Sequence, residues 1–174
     1  VYHFDIRTLE KRPQYLRHID KIRDMFVLSC NLGQRYSDMV RIDKSSFDFN
    51  QFSIVQQKTG TKAVVDIDKF CVDRRMVYNI LEKYNYKAPF DGDISSYNKY
   101  LKYLMEAVGL TEEIKRETKV AGFIKTERTP KYKLIGSHTG RRTFVTINLL
   151  RGTPLHEIMR ASGHTSYSSF QKYW

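Results

Sequence analysis

Hydrophobic residues recur at helical spacing near the start of the chain. They lie three and four residues apart, which places them on one face of a helix. The helix is predicted to run from His18 to about Gly33, because glycine readily takes the left-handed conformation that ends helices. A second, short helix is predicted after Gly33, with Arg35 at its entry. The apolar positions of the first helix are Ile19, Ile22, Met25, Phe26 and Cys30.

Three later stretches carry the same helical period. Residues 69–86 are predicted as one helix with Val72 on its apolar face, and a serine at 95 or 96 is predicted to cap the next helix, which ends at Gly109. After about Ser137 the chain is predicted to be helical to its end. It is interrupted at 152–154, where Thr153 is the expected N-cap and Pro154 the first helical residue.

An alternating pattern indicates strands in the middle of the chain. Phe47 to Ile67 alternates apolar and polar positions around Lys58-Thr59-Gly60-Thr61-Lys62, which predicts a β-hairpin that turns at Gly60. Val120 to Lys125 and Tyr132 to Ile135 are expected to be short strands. The elements together predict an α+β fold that is mostly helical with a small antiparallel sheet.

Composition adds a strong positive charge to this picture. The 174 residues fit one domain, and 30 Lys and Arg against 19 Asp and Glu give a net charge of +11. That excess favours a polyanionic partner, nucleic acid before membrane. No apolar run approaches the ~20 residues of a membrane span, and no signal peptide opens the chain. Cys30 and Cys71 lack metal-ligand spacing and are interpreted as buried free thiols in a reducing cytosol.

The excess charge is concentrated just before the last helices. Residues 113–142 hold nine Lys or Arg against three Glu, a net charge of 9 − 3 = +6. A solvated face is one interpretation, and a contact surface for the DNA backbone is the other, favoured because the stretch leads directly into His138. The predicted DNA-binding residues are Lys62, Lys115, Arg116, Lys119, Lys125, Arg128, Lys131, Lys133 and Arg142.

Several side chains suit the handling of a phosphate. His138 and Arg141 are three residues apart, so they share a helix face at roughly 5–6 Å between Cβ atoms. Arg35 at a helix entry could bind an anion, or could form an ordinary surface ion pair with Asp38. Lys58 could donate a proton to a leaving group, contact a DNA groove, or simply keep an edge strand soluble. A tyrosine hydroxyl such as that of Tyr173 can act as a nucleophile when it is activated.

These residues, in this order, resemble the catalytic domain of tyrosine recombinases, the phage-integrase family. Gly33, Arg35, Ser37 and Asp38 match the first arginine box, and Lys58 matches the hairpin lysine. The pairs His138–Arg141 and Gly163–His164 match the next two boxes, with Tyr173 nine residues after His164. The short motifs Arg-Tyr-Ser-Asp and Lys-Thr-Gly are most similar to those of integrases of Bacteroidetes mobile elements. Three positions depart from the usual pattern: Gln34, Gly140 and Phe170.

The resemblance implies a mechanism for these residues. Arg35 and Arg141 would clamp the phosphate, and Tyr173 would attack it to form a covalent 3′-phosphotyrosine and release a 5′-hydroxyl. Lys58 would protonate the leaving oxygen, His138 would assist proton transfer, and His164 would form a hydrogen bond to the phosphate. Asp38 would support the site. The resemblance implies no metal and no nucleotide cofactor.

It also implies the setting in which such a domain works. Residues 1–174 are expected to form the catalytic domain alone, without the N-terminal DNA-binding domain and the C-terminal tail of the family. The expected partners are duplex DNA and other recombinase protomers, as a tetramer on paired sites, in the bacterial cytoplasm at the nucleoid. Two alternatives stay open: DNA relaxation of the type IB topoisomerase kind, and a basic DNA-binding module without catalysis.

Overall fold

Helices make up most of the fold, which a computed structural model describes for residues 13–120 and 123–171. Single 3-10 turns at Lys44–Ser46 and Lys131–Leu134 join them to the strands. The helices are α1 (Pro13–Leu32), α2 (Tyr36–Met39), α3 (Ile67–Phe70), α4 (Arg74–Lys83), α5 (Ile94–Ala107), α6 (Ser137–Leu150), α7 (Leu155–Ser162) and α8 (Tyr167–Phe170).

Helix α1 is the centre of the core. It packs against α3, α4, α5 and α6, and its predicted apolar face is buried at Ile19, Ile22 and Met25. The approach of α6 is especially close, because a Cβ built on Gly140 would stand 2.6 Å from the Cβ of Ser29. The glycine that departs from the family pattern therefore lies where two helices touch. The predicted end of α1 is also confirmed, since Gly33 has a φ of +66°.

Two small antiparallel sheets complete the architecture. In the first, β1 (Phe47–Asp48), β2 (Gln51–Val55) and β3 (Lys62–Asp66) are adjacent in chain order. Phe52 pairs with Val65 and Ile54 with Ala63, and all four side chains face the core. The second sheet is a hairpin of β4 (Glu113–Val120) and β5 (Phe123–Pro130). The predicted fold class, mostly helical with small antiparallel sheets, is thus confirmed.

Local predictions failed where a polar residue interrupts an element. The helix predicted over 69–86 is two helices, because Asp73 caps α4 by accepting a hydrogen bond from the Met76 amide. Val72 lies in the break and is 61% exposed rather than buried. Asp93 caps α5 through the Ser96 amide, so neither predicted serine is the cap.

The boundaries after residue 113 also differ from those predicted. Two eight-residue strands replace the short strand expected at 120–125, and residues 131–134 form a 3-10 turn rather than a strand. Helix α7 begins at Leu155, which leaves Pro154 just before it. Across residues 13–120 and 123–171, none of the helices is long and apolar enough for a membrane span.

Candidate active site

An open cleft of about 440 Å³ brings together most of the predicted catalytic residues. It lies between the N-terminus of α2, the β2–β3 turn, the first turn of α6 and the loop after α7. Four of the six predicted residues line it, together with several hydroxyl side chains. The lining residues are Arg35, Lys58, Thr59, His138, Arg142, Gly163, His164, Thr165, Ser166 and Ser169.

Arg35 stands at the N-cap position of α2 and is held by a neighbouring amide. Its Nη1 donates to Oε1 of Gln56 at 2.5 Å. Asp38 forms its ion pair with Arg41 at 3.5 Å, so the alternative of a surface bridge between Arg35 and Asp38 is wrong. The structure leaves Arg35 at the wall of the cleft, where its guanidinium can meet an anion.

Lys58 projects from a turn whose base is fixed. The Gln57 amide donates to the buried carboxylate of Asp38 at 2.8 Å, and the Gly60 amide donates to the Gln56 carbonyl at 2.8 Å. Gly60 takes a φ of +65° to make the reversal. The ammonium group of Lys58 is exposed at the cleft. Asp38 therefore supports the turn that carries Lys58, and its supporting role in catalysis stays a prediction.

Arg141 is placed differently from the other predicted residues, since it is 0% exposed and lies behind the cleft. Its Nη1 donates to the carbonyls of Gly33, at 3.1 Å, and Ser162. Its Nη2 lies 3.0 Å from Nε2 of His164. A buried arginine needs such partners to offset the loss of hydration. The side chain ties the end of α1, the end of α7 and His164 into one unit.

His164 is held neutral by its surroundings. Burial, the positive charge of Arg141 and that of Arg35 lower the pKa of its imidazole from 6.5 to about 3. Its Nδ1 lies 2.7 Å from Oγ of Ser162. An arginine can only donate hydrogen bonds, so the ring nitrogen of His164 that faces Arg141 must accept through a lone pair. A neutral imidazole has such a lone pair, which agrees with the lowered pKa. The ring also packs edge-on against Phe170 at 5.1 Å.

His138 sits among cations at the start of α6. Partial burial lowers the pKa of its imidazole, and the charges of Arg141, Arg142, Arg35 and Lys58 lower it further. An anion bound in the cleft would oppose the effect of these cations, because an opposite charge nearby favours the protonated ring. The proton affinity of His138 is thus coupled to occupancy of the cleft.

The predicted nucleophile lies outside the described residues. The structure describes α8 and Gln171 but not Tyr173, so the role of Tyr173 stays a prediction. The other tyrosine near His164, Tyr167, opens α8 and is 48% exposed.

The predicted DNA-binding residues divide into two groups by position. Arg142 lines the cleft itself, and Lys62 is exposed at the start of β3. Lys115, Arg116 and Arg128 are exposed on the β4–β5 hairpin, with Lys131 and Lys133 in the turn that follows it. The side chains of Lys119 and Lys125 lie outside the described residues.

Sequence reasoning missed three buried polar residues behind the cleft: Gln34, Gln56 and Ser162. Gln56 carried a usable signal, since it continues the inward alternation of Phe52 and Ile54 along β2. Gln34 appeared only as a departure from the family pattern. Nothing in the local sequence marks Ser162.

Comparison with known proteins finds similarity in structure rather than in sequence. No family model matches the chain, and no curated protein matches it. A lambda integrase (75–356) dimer bound to a COC′ core site matches with a TM-score of 0.63 and 16% identity, over 97% of this chain and 54% of that one. XerA recombinase matches with a TM-score of 0.61 and 16% identity, over 91% and 57%.

The Tn1549 transposon integrase, in complex with circular intermediate DNA, matches with a TM-score of 0.57 and 15% identity, over 97% of this chain and 57% of that one. The fold is that of the tyrosine recombinase catalytic domain. The chain spans about half the length of these structures.

Proposed function

We propose that this chain is the catalytic part of a site-specific DNA recombinase or integrase, which cleaves and rejoins DNA through a covalent 3′-phosphotyrosine. One observation carries the proposal. Arg35, Lys58, His138 and His164 are far apart in sequence yet line a single open cleft, in a recombinase fold.

The cleft suits a phosphodiester that passes through a more highly charged transition state. Arg35 and Arg142 would neutralise the non-bridging oxygens, since an arginine fork matches phosphate geometry. Lys58, on a turn anchored at its base, would protonate the leaving 5′ oxygen. His138 would assist proton transfer by accepting the proton that the Tyr173 hydroxyl loses as it attacks phosphorus. Tyr173 would be the nucleophile, with no metal and no nucleotide cofactor involved.

Arg141 would serve this reaction from behind the cleft. Its contacts with the Gly33 and Ser162 carbonyls and with His164 favour a role in holding the site together. To bind the phosphate directly, as the family resemblance implies, the buried guanidinium of Arg141 would have to become accessible from the cleft.

Duplex DNA is the proposed substrate, and the exposed cations of the β4–β5 hairpin would contact its backbone. The similar lambda integrase was solved as a dimer bound to a core site, and a XerH recombinase was solved bound to its difH substrate. We extend this to assembly with further protomers, as a tetramer on paired sites. The motifs Arg-Tyr-Ser-Asp and Lys-Thr-Gly support the proposal that the chain comes from a mobile element of the Bacteroidetes type.

Trapping on a nicked duplex tests the proposal. A nick beside the cleavage point lets the short 5′-hydroxyl strand diffuse away, so a covalent protein–DNA adduct should accumulate. Tyr173→Phe should abolish the adduct and leave DNA affinity intact, because only the hydroxyl is lost. Tyr167→Phe is the matched control and should keep adduct formation. An adduct that survives in Tyr173→Phe, or that peptide mapping places on Tyr167, would disprove the assignment.

Paired-site substrates then separate recombination from its alternatives. A recombinase should yield exchanged strands only when two sites are present, whereas a topoisomerase would relax a supercoiled plasmid without exchange. A DNA-binding module without catalysis would give neither product and no adduct.

A further inference from the structure

We propose that Gln56 is a positioning residue that fixes the guanidinium of Arg35 and couples it to the loop carrying His164. The inference rests on the proposed function, since it assigns a task within that reaction. It stands on a buried hydrogen-bond network that connects the two sides of the cleft.

The side chain of Gln56 uses all of its hydrogen-bonding capacity. A glutamine amide has two donor hydrogens and an oxygen that can accept two bonds. Nε2 donates to Oε1 of Gln34 and to the Ser162 carbonyl, both at 2.8 Å. Oε1 accepts from Arg35 at 2.5 Å and from Thr59 at 3.2 Å. The orientation of the amide is therefore determined by four partners.

Gln34 extends the network to α7. Its Nε2 donates to the Ala161 carbonyl at 2.9 Å and to the Leu32 carbonyl at 2.7 Å. Gln34 and Gln56 are both 0% exposed. The Ser162 carbonyl, which accepts from Gln56, also accepts from Arg141. Arg35 and Arg141 are thus connected through the Gln56 amide and one backbone oxygen.

Gly163 allows this close approach. It has a φ of +68°, and a Cβ at this position would overlap the Gln56 side chain. The loop before His164 consequently packs directly on the amide that holds Arg35. A fully satisfied buried network is rigid, and polar groups left unsatisfied in such a place are costly. Rigidity here is useful, because a misplacement of about 1 Å at a catalytic group can slow a reaction by about 100-fold.

Gln56→Glu breaks the network with almost no change of shape. The new carboxylate cannot donate to Gln34 or to Ser162, and it pairs with Arg35 in competition with the phosphate. The neighbouring residue Gln57 is exposed, and its side chain is not among those that line the cleft. Gln57→Glu is therefore a matched control that adds the same charge one residue away.

The test is single-turnover adduct formation on the nicked duplex at saturating DNA, corrected for the active fraction found at the end point. Gln56→Glu should cleave at least about tenfold more slowly than Gln57→Glu, because the arginine is misdirected. Both variants should bind duplex DNA equally. Equal cleavage rates for the two variants would overturn the proposal. If Gln56→Glu does not fold, Gln56→Met keeps the volume without the hydrogen bonds and replaces it.

A double-mutant cycle shows whether Gln56 acts through Arg35. In an Arg35→Ala background, Gln56→Glu should cause little further loss, since coupled residues are non-additive. A full, additive loss there would reduce Gln56 to a structural role and overturn the proposal. The proposed function fails in a different way: the unmodified chain forms no adduct, or Arg35→Ala cleaves at the normal rate.

Discussion

Two regions of the molecule hold their positive charge in different ways. Behind the cleft, Arg141 is completely buried and bonded to two carbonyls and a histidine. On the β4–β5 hairpin, Lys115 and Arg128 face each other across the strands and are exposed. Lys115 forms an ion pair with Glu117 at 2.7 Å, and both side chains are largely exposed.

The contrast separates two uses of positive charge. A buried arginine has a fixed orientation, so it can direct chemistry, and its removal leaves carbonyls without their donor. Exposed cations have many orientations and are screened by salt, so they contribute attraction rather than geometry. Variants in the first region should change rate and stability, and variants in the second should change affinity.

The largest effect is expected from the arginines of the site. Arg35→Ala should reduce the cleavage rate by at least ~100-fold, as does loss of a preorganised donor to a developing charge. Arg141→Ala should reduce it by a similar factor, because the catalytic groups that Arg141 holds in place would be displaced. Lysine at either position should rescue poorly, since it lacks the planar fork. Single-turnover cleavage measures both.

Thermal unfolding should then distinguish the two arginines. Arg141→Ala should lower the Tm clearly, because the Gly33 carbonyl loses a buried donor and the Ser162 carbonyl keeps only that of Gln56, whereas Arg35→Ala should change it little. An Arg141→Ala protein with an unchanged Tm would contradict the role assigned to its burial.

A weaker, salt-dependent effect is expected from the hairpin. The double variant Lys115→Gln/Arg128→Gln should lower duplex affinity and flatten its dependence on salt between about 50 and 200 mM. The log–log slope should change by about 0.9 for each phosphate that the variant no longer neutralises. Cleavage at saturating DNA should not change. Lys21→Gln/Arg75→Gln removes the same charge from α1 and α4 and is the control. Equal slopes for the two double variants would show that the hairpin does not touch the DNA backbone.

Packing beneath the cleft should give a pure stability effect. Gly140→Ala places a methyl group against Ser29, and overpacking of this kind costs about 1–3 kcal/mol. Denaturant unfolding should show the loss, while duplex affinity stays the same because the hairpin is untouched. Thr146→Ala, at an exposed position of the same helix, should be close to neutral. A neutral Gly140→Ala would mean that α1 and α6 can separate without cost.

The last prediction concerns pH. Because burial and the two arginines lower the pKa of His164 from 6.5 to about 3, the unfolded chain binds a proton in that interval that the folded chain does not. Stability should therefore decrease as the pH falls through this interval. Above the interval, the ionisation of His164 should not affect stability. The loss of Tm on acidification should be smaller in His164→Gln than in the parent and unchanged in His156→Gln. Identical acid profiles for all three would show that the site does not keep His164 neutral.

The sequence predicted the helices and turns better than it predicted which polar side chains are buried. The apolar period of α1 and the turn at Gly60 are local signals, and both were confirmed. The helix that carries His138 and Arg141 was predicted correctly, but the burial of Arg141 depends on the Ser162 and Gly33 carbonyls, which come from distant segments.

Gln56 is a second residue whose partners come from a distant part of the sequence. The alternation of β2 points its side chain inward, yet its partner Ser162 lies 106 residues away in sequence. The break at Val72 was missed because the apolar spacing continues through it. The aspartate that follows caps a new helix, and this capping outweighs the apolar pattern.

The pairing of α1 with α6 has a consequence for the order in which the molecule forms. Arg141 bonds to Gly33 across 108 residues of sequence, and contacts of such long range form slowly because the intervening chain must first be closed into a loop. During synthesis, α1 and the Lys58 turn leave the ribosome long before α6 and α7 do. The cleft is therefore a late product of folding, and a nascent chain carries Arg35 and Lys58 without an assembled site until the C-terminal helices dock.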